Sequence, residues 1–422
     1  DVNGQYHDGK GNVLKDSSGN NVKYQGSLGN EKSNLDNTKN ASNNMSAAAA
    51  GSVNVHLNNS NVKAEVGNAK ITVKNNLNVE ANQETNVLNI GGGVANASTV
   101  GAGAAVNLIE NNNQTQALIN GADVTFTGDN DNLLNILAEE NNDNIQVAIG
   151  AGVTKTSTSD TTTQVSAGGS FNTDILTNKV IAEANNIKVK QSNGINNIDV
   201  DVNSENHSTS YKGAGGLAVS VGQSGNTSVG AGMGGNINLI TKTTEAKIQN
   251  STINNANNVS VSANKDKTQK TEDLISVGVG GAVIAGAQSG YTFQGAMGTD
   301  VVNNTISAIV DSSTIGSTGN LDVIDNSTID STGDLDVVAN NNFNNGNIAG
   351  ALGFSSAATG VGVGVGAIVN VINNNIQAAI SNNSNIKNVN NVNVETSNNE
   401  DLKFLAINMG IQTGSGIPAS AN

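Results

Sequence analysis

Chemistry in this chain would have to come from very few side chains. The three histidines, His7, His56 and His207, stand far apart, with no His-x-His, HExxH or carboxylate spacing around them. A catalytic or metal-binding imidazole needs partners at fixed offsets, so all three read as surface residues. Asp129 and Asp131 in TGDNDN, with Glu140 further on, imitate part of a calcium loop. Leu133 and Leu134 stand where that loop needs an oxygen ligand and its turn glycine, and the glycine-rich nonapeptide of calcium β-rolls is missing. Solvated acidic corners are the expectation there, and for Asp8 and Asp16 as well.

Paired carboxylates could cleave a glycan, but a sugar groove also wants stacking aromatics. Phe126, Phe171, Tyr211, Tyr291, Phe293, Phe343, Phe354 and Phe404 are scattered singly. No GxSxG or GxxxxGK[ST] motif occurs in a strand-to-helix setting, and the glycine runs repeat at period two instead of cradling phosphate. The sequence therefore predicts no catalytic residue, no metal ligand and no cofactor.

Composition narrows the classes further. Among 422 residues there are 76 Asn, 49 Gly, one proline (Pro418), 6 Phe, 4 Tyr and neither Cys nor Trp. Lysine supplies all 20 basic side chains, and the formal net charge is -15. Nucleic-acid binding draws on Lys and Arg at phosphates and on Arg and aromatics at bases, so an acidic chain without arginine is a poor candidate. Without cysteine there is neither disulfide nor thiolate chemistry. The longest mostly apolar run, 357–369, is rich in Gly and Ala and is shorter than the roughly 20 residues of a spanning helix, so no transmembrane helix is expected. No basic, apolar leader opens the chain, and any signal peptide is expected outside it.

With 36% hydrophobic residues, the chain must be either disordered or folded around small apolar side chains in many shallow layers. Regular alternation favours the layers. VNVHLNNSNVKAEV (53–66), VNLIENNNQTQALI (106–119), FNTDILTNKVIAEA (171–184), INLITKTTEAKI (237–248), TDVVNNTISAIV (299–310) and VNVINNNIQAAI (369–380) share one plan. They place Asn54, Asn107, Asn172, Asn238, Asp300 and Asn370 in one row. A second landmark follows each: NNLNVEAN (75–82), NLLNILAEE (132–140), NNIDVDVN (196–203), NNVSVSAN (257–264), GDLDVVAN (333–340) and NNVNVETS (390–397). Its period of two marks strands with one face inward. Gly/Ala-rich strands such as 145–153, 274–287 and 348–366 lead into the next unit. Near-duplicates at 313–324 and 327–338 suggest a local duplication in the fifth unit, which a stacked array can absorb.

These patterns predict an all-β parallel β-helix over 45–422, with about six degenerate repeats near 45–98, 99–160, 161–225, 226–290, 291–357 and 358–416. Each repeat is expected to supply roughly three coils of about 20 residues, giving a rod on the order of 100 Å long. In GVGVGVGAIVNVINNNIQAAI (360–380), the valines are expected to form the core face, the glycines a close-approach surface, and the asparagine triplet a corner. Asparagine also suits corners through its tolerance of left-handed backbone, and its amides can bond from layer to layer. Residues 1–44, with turn signals DGKGN (8–12) and DSSGN (16–20), predict a small hairpin or meander followed by a polar linker.

The turn-then-LxVxA strands, such as NNLNVEAN and GDLDVVAN, with GVGVGAIVNVI-type segments between them, resemble the filamentous-haemagglutinin-like exoproteins of Gram-negative bacteria. The Asn-rich, Arg-free flavour is similar to that of large fusobacterial leukotoxins and adhesins. The resemblance spans about 45–416 and implies a right-handed parallel β-helix exported by type V or two-partner secretion through an outer-membrane partner. It also implies a secreted or cell-surface location, a role in adhesion and virulence, and a host-cell or bacterial surface receptor of protein or glycan. Neither the family's N-terminal secretion domain nor a C-terminal barrel is visible, so an internal segment is expected. The leading expectation is a non-enzymatic adhesive shaft. Alternatives are part of a secreted cytotoxin, a β-helix polysaccharide-degrading enzyme, and an ice-binding face, the last limited by TxT spacing confined to 156–163.

Overall fold

A computed structural model describes residues 46–129, 131–156, 162–193, 197–316, 327–330, 333–387 and 389–421. The hairpin expected over 1–44 lies outside them. The described residues form strands and turns without a helix, and every strand pairing is parallel. The fold is a β-solenoid, as the alternation predicts.

The chain winds in very wide coils. The first is β1 (Ala47–Val66), β2 (Lys70–Val73) and β3 (Asn76–Ala97). The second is β4 (Val100–Asn120), β5 (Asp123–Phe126) and β6 (Asn132–Lys155), and the third β7 (Thr163–Asn185), β8 (Lys188–Gln191) and β9 (Ile198–Val221). In the fourth, β10 (Thr227–Gln249) and β11 (Thr252–Asn254) precede a strand broken into β12 (Ala256–Ala263) and β13 (Glu272–Ala285). The fifth holds β14 (Ser289–Asp311), β15 (Thr314–Gly316), β16 (Ser327–Asp330) and β17 (Asp334–Ser355). The sixth is β18 (Thr359–Ser381), β19 (Ser384–Lys387) and β20 (Asn391–Gln412), and β21 (Ser415–Ala421) lies on β18.

Stacking these coils makes a front sheet (β1-β4-β7-β10-β14-β18-β21), a narrow base sheet of short strands, and a back sheet that returns antiparallel to the front. Each repeat is thus one coil, not three. Six coils at about 4.8 Å stack to only roughly 30 Å, whereas a 23-residue strand runs about 75 Å. The molecule is a blade, and the expected long rod of small coils is wrong. Its physical reason is that the asparagines read as corners lie inside strands. Asn111, Asn112 and Asn113 sit within β4, and Asn373, Asn374 and Asn375 within β18.

Real corners are marked by left-handed backbone. At the turn from front to base sheet, Gly121 (φ 74°), Asn186 (52°), Asn250 (51°), Ser312 (46°) and Asn382 (51°) occupy one position in five successive coils. The amide of each of the first four bonds to a carbonyl of the next coil, as in Gly121 N–H to Asn185 O at 3.0 Å. Asparagine is therefore used at corners, as expected, but singly at Asn186 and Asn250 or as the pair Asn382 and Asn383, not as the triplets. Much of the duplicated segment, 317–326 and 331–332, lies outside the described residues. β15 and β16 both pair with β19, Ile315 and Ile329 each falling in register with Ile386.

The apolar core lies at the base. Leu134, Val200, Val259 and Leu335 stack in register along the back sheet, each at most 1% exposed. They face Ala182, Ala246, Ile248 and Val310 of the front sheet in one continuous cluster. Burying each such aliphatic side chain is worth about 1.5–3 kcal/mol. Toward the opposite edge the sheets converge until backbone meets backbone. A Cβ on Gly103 would lie 2.1 Å from Ala151 O, and one on Gly232 1.9 Å from Gly281 O. In 360–366 this reverses the expected phase: Gly362, Gly364 and Gly366 are the buried residues, and Val361, Val363 and Val365 point outward.

Candidate functional site

Every long strand changes polarity part-way along its length. In β10 the outward residues are Val229, Ala231, Met233, Ile237 and Leu239, then Thr241, Thr243, Glu245 and Lys247. The inward ones run from Ser228 and three glycines through Asn236 and Asn238 to Ala246 and Ile248. The thin half of the blade is thus apolar outside and small or polar inside, while the base half has the usual arrangement. Outward columns extend this across coils. On the front face, Ala47, Val100, Val165, Val229, Tyr291 and Val361 are in register. On the back face, Ile90, Val147, Gly213, Val277, Ile348 and Leu405 are. Ile149 at 52% and Leu352 at 47% exposure are representative of the back face.

Between the two halves runs a buried polar band. Asn54, Asn107, Asn172 and Asn236 form an amide ladder whose steps are 3.0, 3.0 and 2.9 Å. The same amides donate across to Ile90 O, Val147 O and Gly213 O of the back sheet at 2.7–2.8 Å, tying the two sheets together. The predicted row therefore splits, since Asn172 pairs with Asn236, while Asn238 belongs with Asp174, Asp300 and Asn370.

Buried charges lie beside the ladder. Lys212 Nζ is 3.7 Å from Asp174 Oδ2 and donates to Ile237 O at 3.0 Å. Asp174 also accepts from Asn144 (3.2 Å) and Ser210 (2.8 Å). Lys242 Nζ donates to Asn206 O, Ser208 Oγ and Thr271 O at 2.5–3.0 Å. Burial pushes the Glu140 carboxyl up to about 7, against hydrogen bonds from Asn113 and Thr115 and the charge of Lys242. Burial also raises Glu272 and lowers Lys242, whose charges attract each other. Lys212 is lowered by burial to about 8, with Asp174 opposing. These groups point between the sheets rather than into an outward groove.

No family model, curated protein or solved structure matches the chain.

The residues singled out by type do not converge. His7, Asp8 and Asp16 lie outside the described residues. His56 faces inward on β1 in register with Ile109. His207 is nearly buried under the turn between β12 and β13, donating from Nδ1 to Lys270 O (2.9 Å) with Nε2 3.4 Å from Glu205 Oε2. Glu205, two residues earlier in the chain, is a carboxylate neighbour that the spacing argument passed over. A hollow of about 460 Å³ beside this turn is lined by Glu84, Asp143, His207, Lys270 and Asp273. Asp129 accepts from Asn193 at an exposed corner, while Glu140 is inside the blade, so no calcium loop forms from them. Among the described residues no cluster of three His, Asp or Glu side chains is placed to hold a metal ion. Of the aromatics, Phe126 and Phe343 are core, Phe171 covers Gly235, and Tyr211, Tyr291, Phe293 and Phe354 lie on the two outer faces.

Along the base sheet a trough of about 610 Å³ carries Lys70, Lys188 and Lys190, with Asp123 in register between the first two. Among the described residues no helix is long and apolar enough to cross a membrane. The features that sequence reasoning missed are the outward apolar faces and the inward charges Asp174, Lys212, Lys242 and Glu272. A signal for the charges was present, because Asp174 shares its phase with Gly168, Ser170 and Asn172 on one strand.

Proposed function

We propose that the chain is a structural and adhesive segment of a secreted bacterial surface protein, acting by contact and not by catalysis. The observation that carries this reading is the pair of broad apolar outer faces on the thin half. Apolar patches beyond a few hundred Å² on a folded chain mark interaction surfaces. A solenoid suits the role, because each coil is fixed by its neighbours and a large flat surface needs no cofactor to hold it. The likeness to filamentous-haemagglutinin-like exoproteins supports export through an outer-membrane partner and a receptor on host or bacterial cells.

The test is saturable binding of the labelled chain to epithelial cells and to bacterial cells, with competition by unlabelled chain. Binding to at least one is expected. Binding to neither would leave a spacer without adhesive function.

A further inference from the structure

The back face of the thin half has a relief that this chain's own packing does not explain. Gly213 and Gly215 on β9 point outward, and a Cβ on either would meet nothing within 4 Å. Neither has the positive φ that would demand glycine. Strand glycine costs stability, and one unexplained by turn or interior marks close approach by something else. The trough they floor is central. Val147 and Ile149 of the second coil and Val277 and Val279 of the fourth form its walls, in register on either side.

The relief also alternates. In the column Gly92, Ile149, Gly215, Val279, Gly350, Ile407, a glycine and a branched side chain take turns coil by coil. Displaced by one coil, about 4.8 Å, each ridge of this column falls on a socket, so the column is its own complement.

We propose that this face is an interface between two copies of the chain, with the ridge of each copy seated in the Gly213–Gly215 trough of the other. Five outward columns about 6.6 Å apart over six coils about 4.8 Å apart make roughly 900 Å² per copy. That matches the roughly 800 Å² per partner of a standard stable interface. Charge sets the orientation. The back face of the base half is acidic, with Glu80, Glu139, Asp334 and Asp336 facing outward beside the Asp201–Lys265 pair, so like charges separate only if the thin halves overlap and the bases point apart. The front face has a comparable column, Gly51, Ala104, Gly169, Met233, Gly295, Val365, but Glu110 stands exposed among its apolar columns in the second coil, and an unpaired buried carboxylate is costly. The charge in the back-face columns, Lys403, lies instead at the sixth coil and is paired with Asp401.

Lipid is the other occupant an apolar face could take. Immersion in hydrocarbon would strip water from the outer edges of β1 and β20, which among the described residues pair on one side only. Each unpaired backbone group there would be left without a hydrogen-bond partner in hydrocarbon, whereas face-to-face packing leaves the edges wet.

The inference rests on reading the outer faces as contact surfaces, not on which cell they meet. Sedimentation velocity over a concentration series, with vesicle flotation alongside, tests it. The full chain is expected to be a reversible dimer. Gly215→Leu, which fills the trough without an internal clash, should weaken dimerisation at least tenfold, and Ile149→Lys should abolish it. Val229→Lys on the front face should leave it intact, and circular dichroism should show all three variants folded. A chain monomeric at every soluble concentration would overturn the proposal. So would a dimer broken by Val229→Lys but indifferent to Gly215→Leu, or a monomer that floats with phosphatidylcholine vesicles. A dimer that binds no cell would leave this inference standing and remove the adhesive reading alone.

Discussion

The thin half and the base half of the blade are built from the same strands and solve burial in opposite ways. At the base, Val, Ile and Leu point inward, and Lys, Glu, Asn and Thr meet water. In the thin half, glycine, alanine and asparagine point inward, and Val, Leu, Ile and Phe remain outside. Strand geometry is shared, so side-chain size sets the spacing of the sheets. Ordinary face-to-face sheets stand about 10 Å apart, and where Gly232 opposes Gly281 no room remains for one methyl group. The base is held by transfer of apolar surface from water, the thin half by backbone proximity and amide ladders. The buried Asn and Lys band is the seam between these two regimes.

The largest effect should come from forcing one regime onto the other. Gly232→Val places a branched side chain where its Cβ already lies 1.9 Å from a carbonyl oxygen. The sheets must part along their contact, so a loss above about 4 kcal/mol or failure to fold is expected. Gly213→Val, a change of identical size on the outward phase, should leave the urea midpoint where it was when measured dilute enough to exclude association. Equal effects at the two sites would show that the sheets do not meet as described.

The seam should respond to pH, with a smaller amplitude. A carboxyl whose folded pKa lies above its ordinary value favours the fold below that ordinary value and stops doing so as pH rises through the folded one. For Glu140 this window is from about 4.5 to about 7. Lys212 is lowered, so its favourable contribution exists only at high pH and is gone once pH falls through about 8. The urea midpoint should therefore decline between pH 5 and pH 7.5, and Glu140→Gln should flatten that decline. Lys242→Met leaves Glu140 and Glu272 without their cation, so it should cost about 3–5 kcal/mol at pH 7.5 and distinctly less at pH 5, where both carboxyls can take a proton. A cost independent of pH would mean that Lys242 acts through packing alone.

How much of this was legible in the sequence follows from what period two can encode. Alternation fixed the strands and their parallel stacking, and the LxVxA landmarks align in the structure as they do in the sequence: Leu77 with Leu134, Val79 with Ile136, Ala81 with Ala138. Coil width was not legible, because an asparagine at a corner and one in a buried ladder are the same letter. Asn186 is a corner and Asn172 a rung. The two-residue slip at Asn238 was hidden for a related reason. Residues 236–238 read Asn-Ile-Asn, and a shift of two keeps every side chain on its face. The reversal of the valine and glycine phases was hidden too, since alternation says that two faces differ and not which one meets water. Glycine on one phase of several neighbouring strands was the available signal that this phase is the interior.

The smallest effect is the sharpest test of that reversal. Val261 at the base and Val277 in the thin half lie on the back strand of one coil, the first fully buried and the second facing out. Threonine is close to valine in shape but carries a hydroxyl, which costs about 1–3 kcal/mol to bury without a partner. Val261→Thr should lose that amount in urea unfolding, and Val277→Thr should stay within about 0.5 kcal/mol of the parent when measured dilute enough to exclude association. If Val277→Thr proved the more damaging change, valine in the thin half would be core after all, and the outward apolar face would not exist.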